Sequence, residues 1–178
     1  AMVRDLPRPL TIINMFALDE SRRWPLDAAV ALMAQRAAET GGSFLLNAGP
    51  DAADYYHTAL QKWQQLADRH PQMKKIKVIN SVQNTPSMAR DVALYHQADA
   101  YIGVDSFTAN LAMNCNLPAV VLFAHERDVL RYRDAVQPLV APDAGKIASI
   151  NNDDINAAAS QLGEKWGQKS SLGYPLPV

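Results

Sequence analysis

The most informative stretch of this sequence is IGVDSFTAN, residues 102–110. A short apolar run ends there, and Asp105, Ser106 and Thr108 follow before the apolar pattern resumes. The start of a helix offers unpaired backbone amides and the positive end of the helix dipole, which both favour an anion. The stretch therefore predicts a phosphate or sugar cradle, in which the amides of residues 106–108 and the hydroxyls of Ser106 and Thr108 bind a diphosphate-linked ligand. Two or three hydrogen bonds to a charged group, worth ~1.5–3 kcal/mol each, suffice for such a site.

Two other interpretations of the same stretch remain open. In a purely structural one, Ser106 caps the next helix and Asp105 ties down neighbouring backbone amides. In a hydrolase interpretation, GVDSF approximates the nucleophile elbow G-x-nucleophile-x-G, with Asp105 as the nucleophile. Phe107 stands where that elbow needs its second glycine, and the sequence places no obvious base nearby.

Arg22 and Arg23 form a second candidate anion site, because they stand directly before Trp24-Pro25. Pro25 predicts the start of a helix. An arginine beside the amides of that start can hold a phosphate with two parallel hydrogen bonds. The alternative is that both arginines are merely solvent-exposed residues of a surface loop, while Trp24 packs in the core.

Several other classes of function are not expected. The loop after the first strand lacks the G-x-G-x-x-G dinucleotide fingerprint, and G-x-x-x-x-G-K-[ST] is absent throughout. The 17 basic and 18 acidic residues are scattered, which predicts no nucleic-acid partner. The longest apolar run, residues 117–124, is far shorter than the ~20 residues of a membrane span, so no transmembrane segment is predicted.

Metal and disulfide chemistry are not expected either. Cys115 is the only cysteine, which excludes an internal disulfide and a cysteine-based zinc site and favours a reducing compartment. The four histidines show no metal-binding spacing, so we predict no metal and no cofactor. His125 is the one histidine that follows a predicted strand, where it could contact a ligand.

Short apolar runs alternate with helical patterns, which is typical of successive β-α units around a parallel sheet. A chain of 178 residues with 48% hydrophobic content is expected to build one core. The predicted fold class is α/β, a Rossmann-like doubly wound parallel sheet. The patterns predict strands at 10–16, 44–46, 76–79, 100–104 and 119–123, helices at 25–40, 51–70, 86–95, 106–114 and 153–166, a short helix at 128–134, and a loop or edge strand at 138–142.

The expected helix caps are Asp51, Thr85 and the acidic pair Asp153-Asp154. We expect residues 1–166 to form one domain and residues 167–178 to be a loose tail or to pack on another part of a larger protein. Ala1 before Met2 is typical of a cloning remnant, so a longer parent protein is expected. Because the loops after parallel strands meet at one edge of the sheet, their hydroxyls and arginines should share one crevice.

Two segments together resemble glycosyltransferase family 9, the ADP-heptose:lipopolysaccharide heptosyltransferases. They are RRWP and the later ADAYIGVDSFTANLAMNCNLPAVVLF. The family shows a basic residue shortly before W-P at the head of a helix, and the pattern A-D-x-x-[IV]-G-x-D-[ST]-G-x-x-H-[LI]-A-x-A. The resemblance covers most of residues 9–126. It implies the carboxy-terminal, nucleotide-sugar-binding half of a GT-B type enzyme, whose amino-terminal acceptor-binding domain would be absent from this chain.

The resemblance also implies roles for particular residues. Arg22 matches the family's lysine that meets the donor diphosphate, and Asp105 and Ser106 match its acid and hydroxyl at the donor pocket. Asp51 is a looser match to an acid near the nucleoside. The general base would come from the amino-terminal half, so no catalytic residue is expected here, while Arg22 and Arg23 would offset charge on the leaving diphosphate.

Two residues depart from the family pattern. Phe107 replaces a glycine that allows close backbone approach, and it should narrow or reshape the pocket. Asn110 replaces a histidine; its amide can still hydrogen-bond a phosphate or sugar, but it cannot carry positive charge.

We therefore expect the donor half of an inverting glycosyltransferase of bacterial surface glycan assembly, binding a nucleotide-diphospho-sugar and inactive alone. Its expected location is the cytoplasm, at the inner face of the membrane where the acceptor is a glycolipid. Two alternatives remain: a degenerate, non-catalytic module in which Phe107 fills the pocket and the exposed edge or tail serves assembly, and one half of a nucleotide-sugar epimerase. An open pocket beside Arg22 would favour the enzyme over the degenerate module.

Overall fold

A computed structural model describes residues 3–82, 85–132 and 136–170, with the backbone alone for residues 163–170. The strands are β1 Leu10–Asn14, β2 Ser43–Leu46, β3 Lys77–Asn80, β4 Ala100–Val104, β5 Ala119–Phe123 and β6 Gln137–Val140. The helices are α1 Leu26–Thr40, α2 Ala53–Arg69, α3 Met88–Tyr95, α4 Phe107–Asn114, α5 Glu126–Val129 and α6 Asn152–Ser170. Single 3-10 turns occur at Glu20–Arg22, Pro50–Ala52, Pro71–Lys75 and Ile147–Ser149.

The six strands form one parallel sheet in the order β3-β2-β1-β4-β5-β6. The predicted Rossmann-like doubly wound fold is thereby confirmed, and the segment left open as a loop or edge strand is the edge strand β6. The chain starts in the middle of the sheet, builds outward to β3 and then returns to place β4 on the other side of β1. This reversal leaves a crevice at the carboxyl ends of β1 and β4, where ligands of such sheets bind.

Helices cover both faces of the sheet, which explains why the central strands are apolar along their whole length. All five residues of β1 are buried, and so are all five of β5. Alternate strand residues point to opposite faces. Ile13 packs in the cluster formed with α1, α2 and α6, and its neighbour Ile12 packs in the cluster formed with α3 and α4.

Two of the predicted caps are wrong at the level of the individual residue. Asp51 makes no capping hydrogen bond, because it lies inside the turn Pro50–Ala52 and α2 begins only at Ala53. The cap of α3 is Ser87, whose hydroxyl accepts the N–H of Arg90 at 3.4 Å, rather than Thr85. In both cases the chain enters the helix later than the sequence pattern predicts.

The last helix differs from its prediction at both ends. Asn151 supplies the first side-chain hydrogen bond, accepting the N–H of Asp153 at 2.9 Å, so the acidic pair lies in the first turn and does not cap it. The helix continues to Ser170, which places the first four residues of the predicted tail in α6. The rest of that tail, and the end of the short helix predicted at 128–134, lie outside the described residues.

Candidate functional site

The Arg22–Asp105 ion pair lies at the carboxyl edge of the sheet, where the strand order reverses. Arg22 Nη2 lies 2.9 Å from Asp105 Oδ2, and it also donates to the backbone carbonyl of Asp105 at 3.2 Å. The Asp105 side chain is 7% exposed and that of Arg22 is 36% exposed. Nε and Nη1 of Arg22 make no hydrogen bond to any residue that the structure describes, so they can still receive an anion.

A short ordered turn presents Arg22 to this edge. Arg22 ends the 3-10 turn Glu20–Arg22, and Asp19 caps that turn by accepting the N–H of Ser21 at 2.9 Å and its hydroxyl at 2.8 Å. These hydrogen bonds lower the pKa of Asp19, and the nearby charges of Arg22 and Arg23 lower it further. The loop before α1 is therefore structured around the arginine that the sequence singled out.

The hydroxyl of Tyr132 binds the second oxygen of the Asp105 carboxylate, a contact that the sequence analysis did not predict. Its hydroxyl donates to Asp105 Oδ1 at 2.5 Å and accepts from Asn110 Nδ2 at 3.1 Å. Burial, and then the hydrogen bond to Asp105, raise the pKa of Tyr132 well above its ordinary value, so the hydroxyl stays protonated. With both oxygens engaged, Asp105 lacks the open approach that a nucleophile needs, and the elbow interpretation does not fit.

Arg23 does not join this site, contrary to the expectation that both arginines line it. Its Nε donates to the carbonyl of Ala17 at 2.7 Å, and its guanidinium lies 4.7 Å from the ring centre of Phe16 and 5.5 Å from that of Tyr55. A guanidinium over aromatic rings is held by their negative faces. Arg23 therefore stabilises the loop, while Arg22 alone reaches Asp105.

Ser106 and Thr108 reach the site, but their hydroxyls turn toward the protein. Asn14 Nδ2 donates to Ser106 Oγ at 2.8 Å and to Thr108 Oγ1 at 2.7 Å. The Tyr101 hydroxyl lies 3.0 Å from Thr108 Oγ1. Ser106 stands at the N-cap of α4 without making the expected side-chain capping bond. Both hydroxyls thus anchor the start of α4 to β1, and direct binding of a ligand by either of them stays a prediction.

Gly103 is required by the same arrangement. A Cβ at this position would lie 2.6 Å from the Asn14 carbonyl oxygen and 2.7 Å from the Tyr101 hydroxyl. Without a side chain, β4 approaches the end of β1 closely enough for Asn14 to reach α4. Asn14 is 1% exposed, and its Oδ1 accepts from the Tyr56 hydroxyl at 2.7 Å. An asparagine at the last position of a buried strand was the sequence signal for this residue.

A cleft of about 130 Å³ opens at the same edge, between the loops after β2 and β3 and the start of α4, and Arg22 is not among the residues that line it. Phe107 is 58% exposed, so its ring forms part of the wall and does not fill the cleft. The cationic side chain in the wall is Arg90, which donates to the Ser81 carbonyl at 2.7 Å. The cleft is lined by Ala48, Gly49, Pro50, Ser81, Pro86, Ser87, Arg90, Asp91, Phe107 and Thr108.

Three predicted residues lie elsewhere on this edge. Asp51 is exposed and is not part of the cleft wall, although the preceding Gly49 and Pro50 are. Asn110 is directed to Tyr132 and to the carbonyl of Ser106. His125 follows β5 and lies against Gly145. Among the described residues, no three His, Cys, Asp or Glu side chains are grouped to hold a metal ion, and no helix could cross a membrane.

No protein-family model and no curated protein matches the sequence, whereas solved structures do. A glycosyl transferase family 9 protein from Veillonella parvula matches with a TM-score of 0.72 and 14% identity, over 88% of this chain and 46% of that chain. The E. coli ADP-heptose lps heptosyltransferase II matches with a TM-score of 0.72 and 18% identity, over 90% and 48%. A UDP-GlcNAc 2-epimerase from Methanocaldococcus jannaschii matches less closely, with a TM-score of 0.54 and 16% identity, over 92% and 46%.

The chain spans about half the length of these proteins. In the glycosyltransferases, the matching half is the carboxy-terminal one. The resemblance seen in the sequence is therefore confirmed for the fold, which is that of one half of a GT-B glycosyltransferase.

Proposed function

We propose that this chain is the donor-binding half of an inverting, heptosyltransferase-like glycosyltransferase, and that it binds a nucleotide-diphospho-sugar. The observation that carries this proposal is Arg22. Its guanidinium is tied by one nitrogen to Asp105 at the reversal point of the sheet, and its other two nitrogens have no partner among the described residues. A guanidinium presented in this way suits a diphosphate, because its fork matches two phosphate oxygens.

The start of α4 completes the anion site in this proposal. The N–H groups of the first turn of a helix have no partner within the helix, and the helix dipole is positive there. Hydrogen bonds from Asn14 to Ser106 and Thr108 hold this turn against β1. Arg22 and these amides would together stabilise the negative charge that grows on the leaving diphosphate as the sugar is transferred.

The acceptor and the general base would be supplied by an amino-terminal partner domain across the cleft. Three exposed apolar side chains support this arrangement, because each lies in the segment that follows a strand, at the carboxyl edge. They are Leu18 after β1, Met88 at the start of α3 and Phe107 at the start of α4. Exposed apolar side chains gathered at one edge are typical of a surface that contacts a partner.

The donor that we would try first carries adenosine diphosphate, because a similar fold is that of an ADP-heptose heptosyltransferase. A nucleotide-sugar donor belongs to the cytoplasm, and an acceptor glycolipid would bring the reaction to the inner face of the membrane. The product would be a bacterial surface glycan.

The test is calorimetric titration of the purified 178-residue chain with ADP, UDP and GDP. Arg22→Ala should weaken binding of the preferred nucleotide about tenfold or more, because it removes a charged donor to the diphosphate. The matched control is Arg8→Ala. Arg8 makes a 3.0 Å ion pair with Asp99 at the opposite, amino edge of β1 and β4, so its loss should leave binding unchanged. Absence of binding to all three nucleotides would refute the donor site.

A degenerate, non-catalytic module is the second candidate. The cleft of about 130 Å³ is small beside the ~300–1,000 Å³ of ordinary ligand pockets, and Phe107 stands on its wall. Phe107→Gly separates the two functions. If only the variant binds a nucleotide, the ring blocks the site in the natural chain; binding by both supports the donor site.

One half of a nucleotide-sugar epimerase is the third candidate, supported by the fold of the archaeal epimerase alone. Binding of UDP in preference to ADP in the same titration would favour it.

A further inference from the structure

The Asp105 carboxylate links two side chains and does not line the cleft. Its Oδ1 accepts from Tyr132 and its Oδ2 accepts from Arg22, and the side chain is 7% exposed. A carboxylate so enclosed has little surface left for a ligand. Through its contact with Arg22, it can still fix the side chain that would meet a bound anion.

Tyr132 is held firmly at the other end of this link. It is 1% exposed, and its ring packs edge-on against Phe123, with 5.2 Å between ring centres and 69° between ring planes. Its hydroxyl accepts from Asn110, so its single proton is directed to Asp105. Burial keeps that proton in place by raising the pKa of Tyr132.

We propose that Tyr132 is a positioning residue of the donor site: its hydroxyl holds the Asp105 carboxylate, and the carboxylate holds Arg22 in place for the donor diphosphate. This inference rests on the proposed function. The same hydrogen bond also draws part of the carboxylate's negative charge toward Tyr132, so that more of the positive field of Arg22 acts on the ligand. Asn110, at the position of the family's histidine, orients the hydroxyl.

Tyr132→Phe tests the inference, because it removes the hydroxyl and keeps the packed ring. ADP affinity of the 178-residue chain should fall about tenfold, the change expected for loss of one charge-assisted hydrogen bond from the chain of contacts. The matched control is Tyr95→Phe. Tyr95 is equally buried, and its hydroxyl donates to Asn47 Oδ1 at 3.0 Å and not to Asp105. Its loss should change ADP affinity less than twofold.

A double-mutant cycle distinguishes positioning from general loss of stability. If Tyr132 acts through Arg22, adding Tyr132→Phe to Arg22→Ala should weaken ADP binding no further. A merely structural effect would make the two losses multiply. If Tyr132→Phe does not fold, Asp105→Asn breaks the same link. The loss of ADP affinity that Asp105→Asn causes should likewise vanish in the Arg22→Ala background.

A ligand-free measurement keeps this inference separate from the proposed function. The Nε–H signal of Arg22, assigned by its disappearance in Arg22→Lys, is followed by ¹⁵N NMR. It should shift and broaden in Tyr132→Phe and stay in place in Tyr95→Phe. An unchanged signal in Tyr132→Phe overturns the inference even when the chain binds ADP. A chain that binds no nucleotide overturns the proposed function together with it.

Discussion

Removal of the Asp105 carboxylate is a direct test of the polar link at the carboxyl edge. In Asp105→Ala the Tyr132 hydroxyl, in a side chain 1% exposed, loses its close acceptor and keeps only the Ser106 carbonyl at 3.5 Å, which is too far for a good hydrogen bond. A buried hydroxyl left unsatisfied costs about 1–3 kcal/mol. Arg22 is 36% exposed, so water can hydrate it, and loss of its ion pair costs only about 0.5–1 kcal/mol of unfolding free energy. Since the carboxylate's own desolvation cost is relieved, we expect a net loss of about 2 kcal/mol of unfolding free energy.

The assay is urea denaturation, with Asp99→Ala as the matched control. Asp99 accepts from Arg8 and from the N–H of Leu10 at the amino edge of the same two strands, and it is 46% exposed. We expect Asp99→Ala to lower the unfolding free energy by about 1 kcal/mol or less. The double variant Asp105→Ala/Tyr132→Phe should recover about 1 kcal/mol over Asp105→Ala, because it removes the orphaned hydroxyl. The reasoning fails if Asp105→Ala is no less stable than Asp99→Ala, or if the double variant recovers nothing.

Gly103→Ala should lower the unfolding free energy by about 2 kcal/mol or more, because the new Cβ would lie 2.6 Å from the Asn14 carbonyl oxygen. The control is Gly49→Ala, which has nothing within 4 Å of its Cβ and should change the midpoint of urea unfolding little. Burial raises the pKa of Tyr101 from 10.0 to about 12, so the unfolded chain loses this proton at a lower pH than the folded chain. The contribution of Tyr101 to the unfolding free energy should therefore be complete below pH 10 and fall as the pH rises from 10 toward 12. Urea titrations in this window should show a shallower slope against pH for Tyr101→Phe, and an equal slope would contradict the assignment. The purified chain alone should transfer no sugar from any donor it binds, and detectable turnover would place the general base within it.

Much of the sheet was predictable from sequence because each strand is a short apolar run followed by a polar loop. The ends of five strands are predicted to within two residues, and β6 is predicted as a loop or edge strand although it contains Pro138. Helix starts were less predictable. Asp51 and Thr85 have the right side chains for caps, but capping depends on which residue enters the helix at the right angle, and that angle is set by packing against the sheet.

The candidate site was predicted in part for the same reason. Arg22 and Asp105 are expected at one edge because the loops after parallel strands meet there, but their ion pair is not predicted. Arg23, next to Arg22 in sequence, packs over Phe16 instead, since Arg22 ends the 3-10 turn and Arg23 follows it in an extended conformation.

The sequence by itself determined the α/β fold, the strands that end at the site and the chemical types gathered there, because short apolar runs and helix periodicity are local properties of the chain. Only the tertiary structure decided that Tyr132 holds Asp105, that the Ser106 and Thr108 hydroxyls face Asn14 and that Phe107 stands on the wall of an open cleft. These outcomes depend on distances between residues far apart in sequence, and hydrogen bonds form or fail over a few tenths of an ångström.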